Sequence, residues 1–220
     1  HFFCILFTIF AVTGVAHSLN VIDGLNGLSL SIVITIGLSL SMMASSLKDE
    51  FLVIMNLCIV MIALGVLIFN FPFGKIFIGD AGAYSFGYVL AWSAILMIHR
   101  NPEVSAWSVL LCFFWPVMET LYSIYRRVAD KKQIAKADNK HFHHLILNWV
   151  TKNQYFNGNI RFTNPIATIC LLPFHMVPSL LAINLVFDSE TALFSIFVLV
   201  AFYIVSYKFL ISRCRLVKNE

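Results

Sequence analysis

Seven apolar runs, most of them near 20 residues, dominate this chain and decide what it can become. They fall near Phe2–Ala16, Leu28–Leu47, Phe51–Phe69, Ala81–Ile98, Val104–Tyr125, Pro165–Phe187 and Thr191–Ile211. An α-helix needs about 20 apolar residues to cross a bilayer, and in lipid its backbone must satisfy its own hydrogen bonds. With 60% hydrophobic and only 12% charged residues, the 220-residue chain has too little polar surface for a water-soluble globule. The expected fold is all-α: a polytopic helical transmembrane bundle of about seven spans, forming a single domain over residues 1–220. Pro173 and Pro178 predict a kink or break in the sixth run. The five cysteines, with no CxxC pair, read as packing residues. The chain opens on His1 inside an apolar run without a signal-peptide pattern, so a missing N-terminal part is expected.

The connections alternate in character. One set is Lys48–Glu50, His99–Glu103 and Asp188–Glu190. Together these carry only Lys48 and Arg100 of the 15 basic residues. The other set is His17–Gly27, Asn70–Asp80, Arg126–Phe162 and the tail after Ile211. The positive-inside rule assigns this second set to the cytoplasm.

The polar clusters with chemical potential all fall on that second side. Asn20, Asp23 and Asn26 recur every three residues, next to Gly24 and Gly27. On a helical turn they would share a face; the competing reading is a cap for the following span. The segment Asn70–Gly82 holds Pro72 and three glycines, so it predicts a structured turn. Within it, Lys75 suits a phosphate, Phe77 suits a base, and Asp80 suits Mg²⁺. Against this stand an anchor role for Phe77, a topology charge at Lys75 and a helix cap at Asp80. His141, His143 and His144 can bind phosphate or metal, or donate a proton near neutral pH. They precede an expected interfacial helix that would lay Phe142, Leu145, Ile146, Leu147 and Trp149 against lipid. Glu119, inside the fifth run, is a functional candidate or the partner of a neighbouring helix.

The strings Asn-Val-Ile-Asp-Gly-Leu-Asn-Gly at 20–27, Phe-Ile-Gly-Asp-Ala-Gly at 77–82 and His-Phe-His-His at 141–144 resemble those of the polyprenyl-phosphate N-acetylhexosamine-1-phosphate transferase family. The resemblance implies a bacterial inner-membrane enzyme with its site facing the cytoplasm. It would move a sugar 1-phosphate from a UDP-N-acetylhexosamine to polyprenyl (undecaprenyl) phosphate, release UMP and so start a cell-surface polysaccharide. The implied cofactor is Mg²⁺, with Mn²⁺ as its substitute. Asp80 would ligate the metal, and Asp23, Asp80 and the three histidines would serve catalysis. Asn20, Asn26, Asn70, Lys75 and Phe77 would bind substrate, with Asn70 and Phe77 on uracil. No nucleic-acid partner is expected, and a homodimer is compatible with the pattern. The family's upstream Asp-Asp-x-x-Asp motif is absent from these residues, so the fragment alone is expected to be inactive or badly impaired. His17 and Asn26 depart from the common residues at their positions, and Ala83 and Tyr84 follow Gly-Asp-Ala-Gly where Ser is frequent. The His-x-His-His form points toward the O-antigen or teichoic-acid type of substrate rather than the peptidoglycan type. The alternatives are a membrane transporter and a non-catalytic truncated paralogue.

Overall fold

A computed structural model describes residues 2–131, 140–152 and 160–216. The described residues form helices and no strands. In chain order these are α1 (Phe2–Val21), α2 (Leu28–Ser46), α3 (Glu50–Asn70), α4 (Gly79–Arg100), α5 (Ala106–Cys112), α6 (Phe114–Ala129), α7 (Phe142–Lys152), α8 (Ile160–Asn184) and α9 (Ser189–Leu216). Six of them are long and apolar enough to span, or seven if α5 and α6, bent by 80° at their junction, form one broken crossing rather than a re-entrant loop. The expected polytopic membrane bundle is therefore the observed architecture.

Helix α2 is the hub, packing on α3, α8, α4 and α5. Its serines and Gly37 let neighbouring backbones come close. Leu30, Ile32, Val33, Ile36, Leu40 and Met43 are buried on it. Helices α1, α3 and α9 are equally apolar but carry their large side chains outward, as at Phe7, Met61 and Phe197. Those faces are the lipid-facing surface of the bundle. Helix α1 closes on α4 at Gly87, where an added Cβ would lie 2.5 Å from the Ala16 Cα.

Two sequence expectations are corrected here. The fifth run is not one straight helix, because α5 and α6 meet at an 80° bend after Cys112. Pro116 explains the break. It has no N–H to give the Cys112 carbonyl, and its ring would clash with that group in a continuous helix. Conversely, α8 runs as one continuous helix through Pro165, Pro173 and Pro178, so of the kink or break expected there the break is absent. Neighbouring helices make such prolines tolerable in a membrane span.

The membrane face opposite the polar clusters is tied by short polar contacts. Asp49 caps α3 by accepting the Leu52 N–H at 3.2 Å. Arg100, ending α4, donates to both of its carboxylate oxygens, at 2.7 and 3.2 Å. Burial disfavours the Asp49 charge, yet the Arg100 and Leu52 hydrogen bonds outweigh it and hold the carboxyl below its ordinary pKa. Ser105 N–H reaches the Val186 carbonyl at 2.8 Å, fixing the start of α5 to the end of α8.

Candidate functional site

On the other face, three segments distant in sequence meet. Helix α1 ends at Val21, and the chain turns through residues 22–27 before α2 begins. Asn20 is thus in the last helical turn, while Asp23 and Asn26 lie beyond it. The shared helical face read from their spacing does not form, because the helix stops between them.

Asn26 joins this turn to two other segments. Its Nδ2 donates to the Pro72 carbonyl at 2.9 Å, its own N–H is accepted by Asn164 Oδ1 at 2.8 Å, and its carbonyl accepts from Thr168 Oγ1 at 2.8 Å. Asn70 completes the junction. Its Oδ1 accepts the Gly27 N–H, and its Nδ2 donates to the Ile76 carbonyl at 2.7 Å. The side chain is buried with its donor and acceptor groups both engaged to backbone. Asn70 and Asn26 therefore shape the loops from within, and a contact of Asn70 with uracil does not fit this placement. Glycine is required at the junction: Gly27 has φ +79°, and an added Cβ there would meet Phe71 at 2.8 Å.

The same junction leaves other residues free to act. Lys75, Phe77 and Asp80 are exposed on the turn and the first turn of α4. Asp80 does not cap α4, since the cap position is Ile78 and makes no side-chain bond. Likewise α2 is preceded by Gly27 with no side-chain cap, so neither Asp23 nor Asn26 serves it. The capping alternatives for these residues are thus removed. Burial raises the Asp23 pKa above its ordinary value, and the charge of Asp80 raises it further. Asp23 therefore lies within electrostatic reach of Asp80, and both are carboxylates of the kind that ligate a divalent cation. Asp80 also sits in the positive first turn of α4, which suits an anion there. Among the described residues, no three His, Cys, Asp or Glu side chains group as a complete metal site. Substrate phosphate oxygens and water commonly complete a Mg²⁺ shell.

Beside this pair, Asn20 Nδ2 donates to the Tyr84 hydroxyl at 3.1 Å, which lies 3.5 Å from His17 Nδ1. His17 and Tyr84, two positions that depart from the common pattern, thus support each other. The histidines arrive from α7. An added Cβ on Gly24 would lie 3.0 Å from His143 Nε2 and 3.4 Å from His144 Cε1. The α7 segment therefore presses on the residue next to Asp23. The three clusters read from the sequence converge.

Helix α7 exists as expected, but its apolar face does not lie on lipid. Phe142 is fully buried among Trp115, Phe174 and Tyr203, with ring centroids 5.0, 5.2 and 5.3 Å away. Leu145, Ile146 and Val150 are buried as well, while Trp149 stays exposed. The aromatic pocket at the α5–α6 bend gives Phe142 a protein partner, which outcompetes lipid. Glu119 of α6 holds the start of α7. Its Oε2 accepts the Phe142 N–H at 3.1 Å and the Tyr203 hydroxyl at 3.2 Å, and its Oε1 accepts the His143 N–H at 3.2 Å. The charge of Glu119 within an apolar run signalled importance; its partner could not be named from the sequence.

Residues 1–98 match the model for glycosyl transferase family 4. The chain is similar to the "Probable undecaprenyl-phosphate N-acetylglucosaminyl 1-phosphate transferase" of Bacillus subtilis, 31% identical over 64% of this chain and 39% of that protein. It is similar to the phospho-N-acetylmuramoyl-pentapeptide-transferase of Lactobacillus johnsonii, at 32% over 66% of this chain and 44% of the relative. The enzyme of that name from Staphylococcus epidermidis is 33% identical over the same shares. The chain thus spans less than half the length of these curated relatives.

Proposed function

We propose, from the match of residues 1–98 to glycosyl transferase family 4 and the likeness to its polyprenyl-phosphate sugar transferases, that the protein this chain belongs to transfers an N-acetylhexosamine 1-phosphate from a UDP-sugar to polyprenyl phosphate. The single observation that carries this reading is the meeting of exposed Asp80, part-buried Asp23 and, beneath them at Gly24, the buried edge of His143 in one loop junction at a membrane face. The reaction joins a phosphate oxygen of the lipid to the sugar-bearing phosphorus of the diphosphate. The diphosphate P–O bond breaks, and UMP leaves with the bridging oxygen. A junction at the bilayer surface gives one substrate access from lipid and the other from water.

Asp23 and Asp80 would hold Mg²⁺, or Mn²⁺ in its place, and the bound ion would neutralise phosphate charge. Lys75, exposed on the same turn as Asp80, adds a positive charge suited to a phosphate oxygen. Phe77, exposed next to Lys75, offers a ring face on which a uracil can stack. Asn20 is turned toward Tyr84 at the rim. His141, His143 and His144 bring hydrogen-bond donors to the third side. Asn26 and Asn70 act indirectly, by fixing the turns that carry Asp23 and Asp80. The positive-inside bias supports a cytoplasmic orientation of this face, in a bacterial inner membrane, where a UDP-sugar would reach it from the cytoplasm. A cell-surface polysaccharide is the expected use of the product. The transporter alternative gains nothing from Glu119, the carboxylate it would need, because α7 engages both its oxygens.

The test uses membranes containing the full-length protein that carries this sequence. They receive polyprenyl phosphate, Mg²⁺ and UDP-N-acetylhexosamine labelled in the sugar. The label should enter the lipid phase with stoichiometric UMP release. Label that stays on the nucleotide, or enters vesicles unmodified, would reject the reading.

A further inference from the structure

The contacts of Glu119 and His143 reach beyond the loop junction. Glu119 is 1% exposed. Its Oε1 lies 3.1 Å from His143 Nδ1, in addition to accepting that residue's backbone N–H. Its Oε2 lies 3.7 Å from His141 Nδ1. A buried carboxylate is costly, and a smaller polar group would suffice to close the N-terminus of α7. What Glu119 adds is control of the His143 ring. With Nδ1 turned to the carboxylate, the other ring nitrogen is forced to the opposite edge. That nitrogen, Nε2, is fully buried and has no hydrogen-bond partner. It packs against Gly24, the residue after Asp23, so closely that an added Cβ there would lie 3.0 Å from it.

Three supports fix this orientation. The ring follows a backbone whose Phe142 and His143 N–H groups are both held by Glu119. Phe142 is locked in the Trp115, Phe174 and Tyr203 pocket. The Tyr203 hydroxyl donates to Glu119 Oε2 from α9, so the carboxylate cannot rotate freely. An orphaned ring nitrogen at the edge of a loop junction is expensive unless a ligand satisfies it. The geometry assigns Glu119 the role of positioning residue: through Nδ1 it aims His143 Nε2 at a phosphate or sugar oxygen of the substrate bound beside Asp23. Tyr203 steadies Glu119 in that task. A metal-bound or proton-transferring histidine elsewhere in proteins is oriented by a carboxylate in the same manner.

This assignment rests on the transfer reaction proposed above. It is tested by steady-state kinetics on membranes of the full-length protein, normalised to folded protein. The variants are Glu119→Gln, His143→Ala and their combination. Glu119→Gln keeps volume and an acceptor oxygen but removes the charge. It should lower kcat about 10- to 100-fold with KM for the UDP-sugar unchanged within about twofold. The double variant should be no slower than His143→Ala alone, because Glu119 acts through that ring. Multiplied losses, or an unchanged kcat in Glu119→Gln, would overturn the assignment. If Glu119→Gln does not accumulate, the cycle is run with Tyr203→Phe; a smaller kcat loss, absent on the His143→Ala background, is then expected, and additivity overturns the role. Wild-type membranes without lipid-dependent UMP release would reject the reaction itself, which separates the two failures.

Discussion

At Asp80 the chemistry and the stability of the fold pull in opposite directions. Its charge adds to burial in raising the Asp23 pKa, so at neutral pH the pair is held together against repulsion. A carboxyl whose folded pKa is raised is a source of stability only below its unfolded value, and that stability is lost as pH rises through the folded pKa. Asp80→Asn removes the repelling charge. In buffer with a chelator it should therefore raise the thermal transition of the protein near pH 7, read by a thermal aggregation assay. The same substitution should cut transfer by about 100-fold or more, measured as UMP release. Asn70 belongs to another class. Asn70→Ala would leave the Gly27 N–H and the Ile76 carbonyl without their partner. A loss of about 1–3 kcal/mol per group is expected, with lower activity because both loops shift. Denaturation in detergent, compared with Asn20→Ala, checks this; Asn20 donates only to an exposed tyrosine and should cost less.

At the scale of the element, what could be read in advance followed from chemistry that is local in sequence. Runs of apolar residues set the spans, and the glycines and Pro72 set the turn between α3 and α4. Pro116 alone does not announce the α5–α6 bend, because proline interrupts the helix in one span and leaves it continuous in another, as in α8. Which apolar face meets lipid and which meets protein was not legible either. Phe142 and Phe197 are the same residue, one buried in an aromatic pocket and one exposed. Only the partner decides. The carboxylates and histidines were found because charge is rare in such a chain; Asn26 and Asn70 were assigned to substrate because an amide signals polarity but not direction. Two predictions belong here. Gly87→Val should force α1 and α4 apart and cost about 1–3 kcal/mol, read as a lower thermal transition. Asp49 has a depressed pKa, so its stabilising contribution is present above about pH 4 and is lost as pH falls through the folded value. Arg100→Gln should flatten that acid loss, measured by the transition temperature between about pH 3 and pH 6.

For the whole molecule, the bundle works as a frame that holds three loops at one membrane face. Asp49 with Arg100, and Ser105 with Val186, tie the opposite face. Helix α2 fixes the centre, and α7 hangs from Glu119 and the aromatic pocket above the loop junction. At that junction, we propose, Asp23 and Asp80, 57 positions apart in sequence, share one divalent cation. Mg²⁺ activation of lipid-dependent UMP release tests it most directly, in wild type, Asp23→Asn, Asp80→Asn and the double variant. Each single variant should need at least about tenfold more Mg²⁺ for half-activation, with the double variant no worse than the more affected single one. A wild-type Mg²⁺ curve in either single variant, or fully additive shifts in the double, would contradict it.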